Sequence, residues 1–167
     1  MFDELTEVDI RKMQEEVDYR ITKLRPQLIE DVKTAREFGD LSENFEYKAA
    51  KREKNRNESR IRYLERMIKT AKVIPAEKSA GGIGLFDKVE IYIEEDDEVQ
   101  NIQLVTTLRQ NALKGLISKE SPVGKALLGH NPGDRVLVEV NPQYSYYVQI
   151  RSVQPGEDDD SLPISSY

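Results

Sequence analysis

The feature that most constrains this chain is an apolar seam that runs out along one helix, turns, and runs back along another. Ile10, Met13, Val17, Ile21, Leu24, Leu28, Val32 and Ala35 recur at steps of three and four. That spacing stacks side chains on one face of an α-helix. Ile61, Leu64, Ile68 and Ala71 repeat it. Traced backwards, the second seam passes through Asn57, Lys54, Ala50 and Tyr47, and so turns small and polar. Only a few residues around Gly39 separate the two seams, and helices joined by so short a turn must lie antiparallel. About 32 residues per arm at ~1.5 Å each gives a coiled-coil hairpin roughly 45–50 Å long. A hairpin that loses its apolar seam towards the turn is suited to probing another molecule, not to forming a thick core. The composition, 34% charged and 38% hydrophobic over 167 residues, is lean in the same sense.

Local signals mark the ends of these helices. Thr6 and Asp9 have capping-box spacing, and Leu5 and Ile10 sit where a hydrophobic staple would pack. Pro26 interrupts the first helix without breaking its period, which predicts a kink and not a stop. Gly39 ends the first arm, and Val73-Ile74-Pro75 closes the second.

Residues 77–84, ending in Gly-Gly-Ile-Gly, read as a linker, after which the period changes from helical to alternating. Val89, Ile91 and Ile93 mark one strand, Val136, Val138 and Val140 another, and Tyr146, Val148 and Ile150 a third. One short helix follows Ser121 as N-cap, with Pro122 at its first position and Gly129 at its end. Pro132-Gly133-Asp134 is a turn. The expected fold class is therefore α+β. It comprises a hairpin over 1–76 with an acidic tip, a linker over 77–84, a small, mostly antiparallel α+β domain over 85–154, and a disordered acidic tail over 155–167.

Charge is informative by location. The net charge of −6 hides a stretch, residues 48–72, with 10 Lys/Arg against 3 Asp/Glu. The acidic total argues against indiscriminate coating of nucleic acid, while a local basic stripe can still meet a short run of phosphates. There is no cysteine, which excludes a disulfide framework and a thiolate metal site. No basic, apolar leader opens the chain, and no stretch nears the ~18 apolar residues of a membrane span. The expectation is a soluble, cytoplasmic protein with no membrane partner.

The turn reads Gly39-Asp40-Leu41-Ser42-Glu43-Asn44-Phe45-Glu46-Tyr47. Asp40 and Glu43, three apart at the end of an arm, could share a divalent cation or position water against a phosphodiester. Two carboxylates are too few for a complete Mg²⁺ site, so another macromolecule would have to supply the remaining ligands. Asp-x-x-Glu is equally an ordinary helix-capping pair, and the two readings are compatible. Lys48, Lys51, Arg52, Lys54 and Arg56 follow directly; they could bind phosphates or simply solvate a helix face. Phe45 and Tyr47 could stack on a base or on the macromolecule that completes the site, or seal the tip, and Tyr47, on the seam, fits sealing. Gly81–Gly84 lacks the Lys-Ser/Thr of a phosphate loop. His130 reads as a turn residue, and Glu94–Glu98 as a solvated hairpin loop without an EF-hand pattern.

The stretch Ala35-Arg36-Glu37-Phe38-Gly39-Asp40-Leu41-Ser42-Glu43-Asn44-Phe45-Glu46-Tyr47 resembles the tip signature of the Gre family of bacterial transcript-cleavage factors. Arg25-Pro26, Arg60-Ile61 with Leu64-Glu65, and Ile117-Ser118 running on to Ser121-Pro122-Val123-Gly124-Lys125-Ala126-Leu127-Leu128-Gly129 also resemble it. The resemblance covers roughly residues 5–153. It implies a second domain similar in fold to FK506-binding proteins, docking on RNA polymerase through the element matching Ser121 and Pro122. It also implies that the hairpin enters the secondary channel of the polymerase. There Asp40 and Glu43 would help to hold a Mg²⁺ jointly with the polymerase, which itself cleaves the backtracked RNA.

On this reading the protein is a monomer, not an enzyme, and has no cofactor of its own. Lys48, Lys51, Arg52, Lys54 and Arg56 would contact the RNA 3′ end, with Phe45 and Tyr47 as tip support. The alternatives are a Gre-like inhibitor that occupies the channel, an FK506-binding-type prolyl isomerase with a helical arm, and a coiled-coil adaptor. Three stretches depart from the family pattern: Leu104-Val105-Thr106-Thr107-Leu108, Asn141-Pro142-Gln143-Tyr144-Ser145, and the acidic tail.

Overall fold

The computed structural model describes residues 3–39, 43–75, 81–158 and 161–166. It divides into two compact units: residues 10–71 fall in the first, residues 3–9 with everything from 72 onward in the second.

The first unit is the hairpin. Its outgoing arm comprises α1 (Glu7–Tyr19), a π-helical segment (Arg20–Leu24) and α2 (Arg25–Arg36); the returning arm is α3 (Phe45–Thr70). The π-helical segment is how the chain accommodates Pro26. A proline in an unbroken α-helix lacks an N–H and presses its ring on the carbonyl four residues back. Here the helix widens just before it, the Arg25 N–H reaching the Arg20 carbonyl, so that Pro26 occupies the first turn of α2. The arm continues through the proline, as its period predicts.

The seam is thin. Met13, Val17, Ala35, Ile61 and Leu64 are buried, whereas Ile21, Leu24, Leu28 and Val32 are only half-buried. Between them lies a polar layer. Asn57, 2% exposed, accepts a hydrogen bond of 2.8 Å from the Arg20 guanidinium. Its own amide donates to the Arg20 carbonyl at 3.4 Å, within the π-helical segment. Arg60 donates to Glu16 at 2.8 Å, and Arg20 to the same carboxylate at 2.7 Å. Arg25 and Glu58 close a further cross-arm ion pair at 3.0 Å.

The second unit carries two sheets. β1 (Glu4–Leu5) and β2 (Lys72–Val73) form a short parallel pair. The main sheet has the order β5-β4-β3-β7-β6, built from β3 (Lys88–Ile93), β4 (Glu98–Val105), β5 (Leu116–Ser118), β6 (Arg135–Asn141) and β7 (Tyr144–Gln154). Every pairing in it is antiparallel except β4 with β5. Alternating residues (Val89, Ile91 and Ile93; Val136 and Val138; Val148 and Ile150) meet Ile102, Leu104 and Leu127 in one buried cluster. Leu127 comes from α4 (Pro122–Leu127), whose N-cap Ser121 accepts from the Gly124 N–H at 3.0 Å. Val140 was expected to join this alternation. A register shift between Glu139 and Asn141 takes it out of the pairing and leaves it 44% exposed.

Two boundaries differ from those expected. Ile83, placed in the linker by sequence, is 3% exposed and belongs to the core. Its N–H donates to the His130 carbonyl at 2.8 Å, and its carbonyl accepts from Gly129 at 2.9 Å. Nor do the described residues of the acidic tail behave as a disordered polar segment. Leu162 packs against the buried Phe86, Val105 and Leu116. The Ser165 N–H donates to the Leu108 carbonyl at 2.6 Å. Gly156 runs so close to the Phe86 carbonyl that a Cβ would overlap it.

At the centre of this arrangement is Arg109, whose side chain is fully buried. It pairs with Asp9 at 2.6 Å and with Asp158, from the tail, at 2.5 Å. Its guanidinium lies 5.3 Å from the centroid of the Phe86 ring. Asp9 also accepts the Thr6 N–H at 3.0 Å, the capping-box bond that its spacing predicts.

Candidate functional site

The tip is built from the end of α2 and the start of α3. Beyond Arg36 the chain tightens, the Glu37 and Phe38 N–H groups donating to the Thr34 and Ala35 carbonyls at 3.1 and 3.2 Å. Gly39 then adopts φ +125° with nothing near where a Cβ would stand, so its need for glycine is conformational and not one of space. Asp40 falls outside the described residues, as do Leu41 and Ser42.

Asn44 organises the turn. It is the N-cap of α3, its side-chain oxygen accepting from the Tyr47 N–H at 2.9 Å. Its amide nitrogen donates to the Ala35 carbonyl at 2.7 Å. One side chain thus satisfies an orphan donor of the returning helix and adds a second donor to the Ala35 carbonyl of the outgoing one. The capping reading of Asp40 and Glu43 therefore passes to Asn44 for this helix. Glu43 stands one residue before the cap, exposed to solvent. An Asn followed three residues later by the start of a helical pattern was the signal available in the sequence.

The aromatic residues divide. Tyr47 is half-buried, with the Arg36 guanidinium 5.5 Å and the Lys51 ammonium 5.9 Å from its ring centroid. A hydrogen bond with Arg36 holds its phenol below the ordinary 10.0. Tyr47 thus links the two arms. Phe45, grouped with it as tip support, is instead 81% exposed. Phe38 across the turn is 69% exposed, and the two line one recess with Glu43, Asn44 and Glu46.

The five basic residues do not share one face. At 3.6 residues per turn they spread over roughly 200° of α3. Lys48 and Lys51 lie against the tip aromatics, with Lys48 5.8 Å from the Phe45 centroid. Arg52 is exposed, Lys54 is half-buried beside the seam, and Arg56 is tied to Glu53 at 3.1 Å. In the second unit Pro122 is exposed. The Ser121 hydroxyl, in contrast, is engaged locally, donating to the Ser118 carbonyl at 2.7 Å while it caps α4. His130 sits in its turn, 3.2 Å from Asp134.

Among the described residues no group of three or more acidic or histidine side chains could hold a metal. No helix among them is long and apolar enough to cross a membrane. A solvent-facing Glu43 on a pinned turn fits a hard cation only as one ligand among several, the rest being supplied from outside.

Two adjoining family profiles match this architecture. "Transcription elongation factor, N-terminal" covers residues 4–73, and "Transcription elongation factor, GreA/GreB, C-term" covers 78–155. The chain belongs to the GreA/GreB family of transcription elongation factors. It is 38% identical over 141 residues to transcription elongation factor GreA of Mesomycoplasma hyopneumoniae, covering 84% of this chain and 88% of that one. It is 42% identical over 137 residues to GreA of Thermoanaerobacter pseudethanolicus, covering 81% and 87%. With GreA of Oenococcus oeni it shares 37% over 154 residues, covering 92% and 95%. Within the Gre family, then, the hairpin corresponds to the N-terminal profile and the main sheet to the C-terminal one.

Proposed function

We propose that this chain binds RNA polymerase, enters its secondary channel with the helical hairpin, and stimulates the polymerase to cleave backtracked RNA. The observation that carries this reading is the tip. An exposed carboxylate, Glu43, stands on a turn that Asn44 pins to both arms, and cations of the next helical turns follow it directly. Such a device has too few ligands to work alone and suits completing a site on another macromolecule. Asp40 and Glu43 would join polymerase carboxylates around one Mg²⁺ and its water, and the polymerase would perform the hydrolysis. The chain is then an activator and not an enzyme. Exposed cations such as Lys48, Lys51 and Arg52 suit the phosphates of the extruded RNA, and the second unit suits anchoring, with Pro122 at its surface.

The test is cleavage of a purified backtracked complex with and without the protein. Wild type should accelerate cleavage. Asp40→Asn and Glu43→Gln should abolish that effect while changing polymerase binding by no more than about threefold. Either variant acting at the wild-type rate would remove the metal role. Binding that suppresses cleavage would instead mark the inhibitory alternative.

A further inference from the structure

Phe45 is a large apolar side chain that folding leaves in water. It sits in the first turn of α3, beside the N-cap, yet is 81% exposed. The hairpin is closed without it, because Asn44 stitches the arms and Tyr47 links Arg36 to Lys51. With Phe38, Glu43, Asn44 and Glu46 it lines an open recess of about 440 Å³. Around the ring the charges are sorted. Glu43 and Glu46 border the recess, while Lys48 lies 5.8 Å from the ring centroid on the side leading to Lys51 and Arg52.

We propose that Phe45 is a stacking platform for an unpaired base at a single-stranded RNA end, with Lys48 taking the adjoining phosphate. This rests on the function proposed above and adds a positioning residue to it. An aromatic face accepts any base, and a neighbouring cation accepts the phosphate that comes with it. The acids on the far side repel a phosphate placed there, which gives the strand one direction across the tip. An apolar protein patch fits less well, since covering the ring would also strip water from Glu43, Glu46 and Lys48. A nucleotide meets the ring with its base and the cation with its phosphate, and leaves the acids hydrated.

The experiment couples the side chain to the base directly. Full-length wild type, Phe45→Ala and Phe45→Trp are titrated into backtracked complexes whose RNA ends in either a normal nucleotide or an abasic one. Each rate is divided by the factor-free rate of the same complex. On normal RNA, Phe45→Ala should raise the half-saturating concentration roughly fivefold or more, and Phe45→Trp should behave as wild type. On abasic RNA the alanine loss should shrink below about twofold, the non-additivity expected of groups in contact. Equal losses on both RNAs would overturn the stacking role, because a merely structural residue acts regardless of the base. Failure of wild type to accelerate cleavage of normal RNA would instead refute the function proposed above.

Discussion

The two units each bury an arginine against carboxylates, and they do so to different depths. In the hairpin, Arg60 meets Glu16 with side-chain exposures of 7% and 22%. In the second unit, Arg109 meets Asp9 with both side chains fully buried, and Asp158 at 5% exposure completes the group. Water still reaches the hairpin pair and screens it. It does not reach the other, so each charge there depends on its partners for nearly all of its solvation. The hairpin's polar layer thus keeps Glu16 within reach of solvent, whereas the ionic centre of the second unit is closed to it. On the function proposed above, a seam of a few buried residues suits the probing part, and a closed ionic centre suits the part that docks.

The comparison breaks most directly at the arginines. Arg109→Met leaves two buried carboxylates without their counter-charge and should destabilise the second unit by about 3–5 kcal/mol. Arg60→Met should cost the hairpin less, about 1–2 kcal/mol, because Glu16 keeps Arg20 and partial hydration. Urea unfolding followed by amide exchange resolved to each unit measures both. Equal losses would mean that depth of burial does not separate the two centres.

Truncating the chain before Gly156 comes next in size. It removes Asp158 from Arg109, Leu162 from the cluster around Phe86, and the Ser165 bond to Leu108. A loss of about 2–3 kcal/mol is expected, from one ion pair to a buried charge and one partly buried leucine. If the truncated protein unfolds at the wild-type urea concentration, the tail is not part of the fold.

Asn44→Ala should cost about 1 kcal/mol in the hairpin through the lost N-cap, and somewhat more because the bond from Asn44 to the Ala35 carbonyl across the arms is lost, leaving that oxygen only the Phe38 N–H. A thermal melt followed at the helical signal reads it. Asn44→Asp restores the acceptor for the Tyr47 N–H but not the donor to Ala35. It should recover only part of the loss, and full recovery would show that the cross-arm bond contributes nothing.

What the sequence disclosed follows from how local each cause is. The seam, the continuation of the arm through Pro26 and the Ser121 cap depend on residues within one or two turns, and all are legible in the sequence. β4 was not, because Val99, Gln100 and Asn101 are exposed and its apolar alternation begins only at Ile102. β5 is three residues long and gains its place by parallel pairing with β4. Arg109 lies 100 residues from Asp9, and no local spacing announces such a pair. The tail has the composition of a solvated segment, while its docking turns on Asp158 and Leu162, whose partners lie far away in the sequence. At the site, the tip motif identified the region but could not say which residue caps. Asn44 took that role because its amide serves both arms at once.

The smallest expected effect concerns pH, and it sharpens the comparison from the hairpin side. Burial pushes the Glu16 carboxyl up, but hydrogen bonds from Arg60 and Arg20 outweigh it and leave the group below its ordinary 4.5. A carboxyl depressed in the folded state contributes stability that is present in full above its unfolded value. That contribution fades as pH falls through 4.5 towards the lower folded value. The hairpin should therefore weaken on acidification in a range where Glu16→Gln, already without the charge, shows a flatter profile. Because Glu16 is partly hydrated, the difference between the two profiles should be modest. The measurement is the hairpin's thermal midpoint between pH 7 and pH 3 for both proteins. Parallel profiles would show that Glu16 contributes no pH-dependent stability, and that the hairpin's polar layer works through geometry alone.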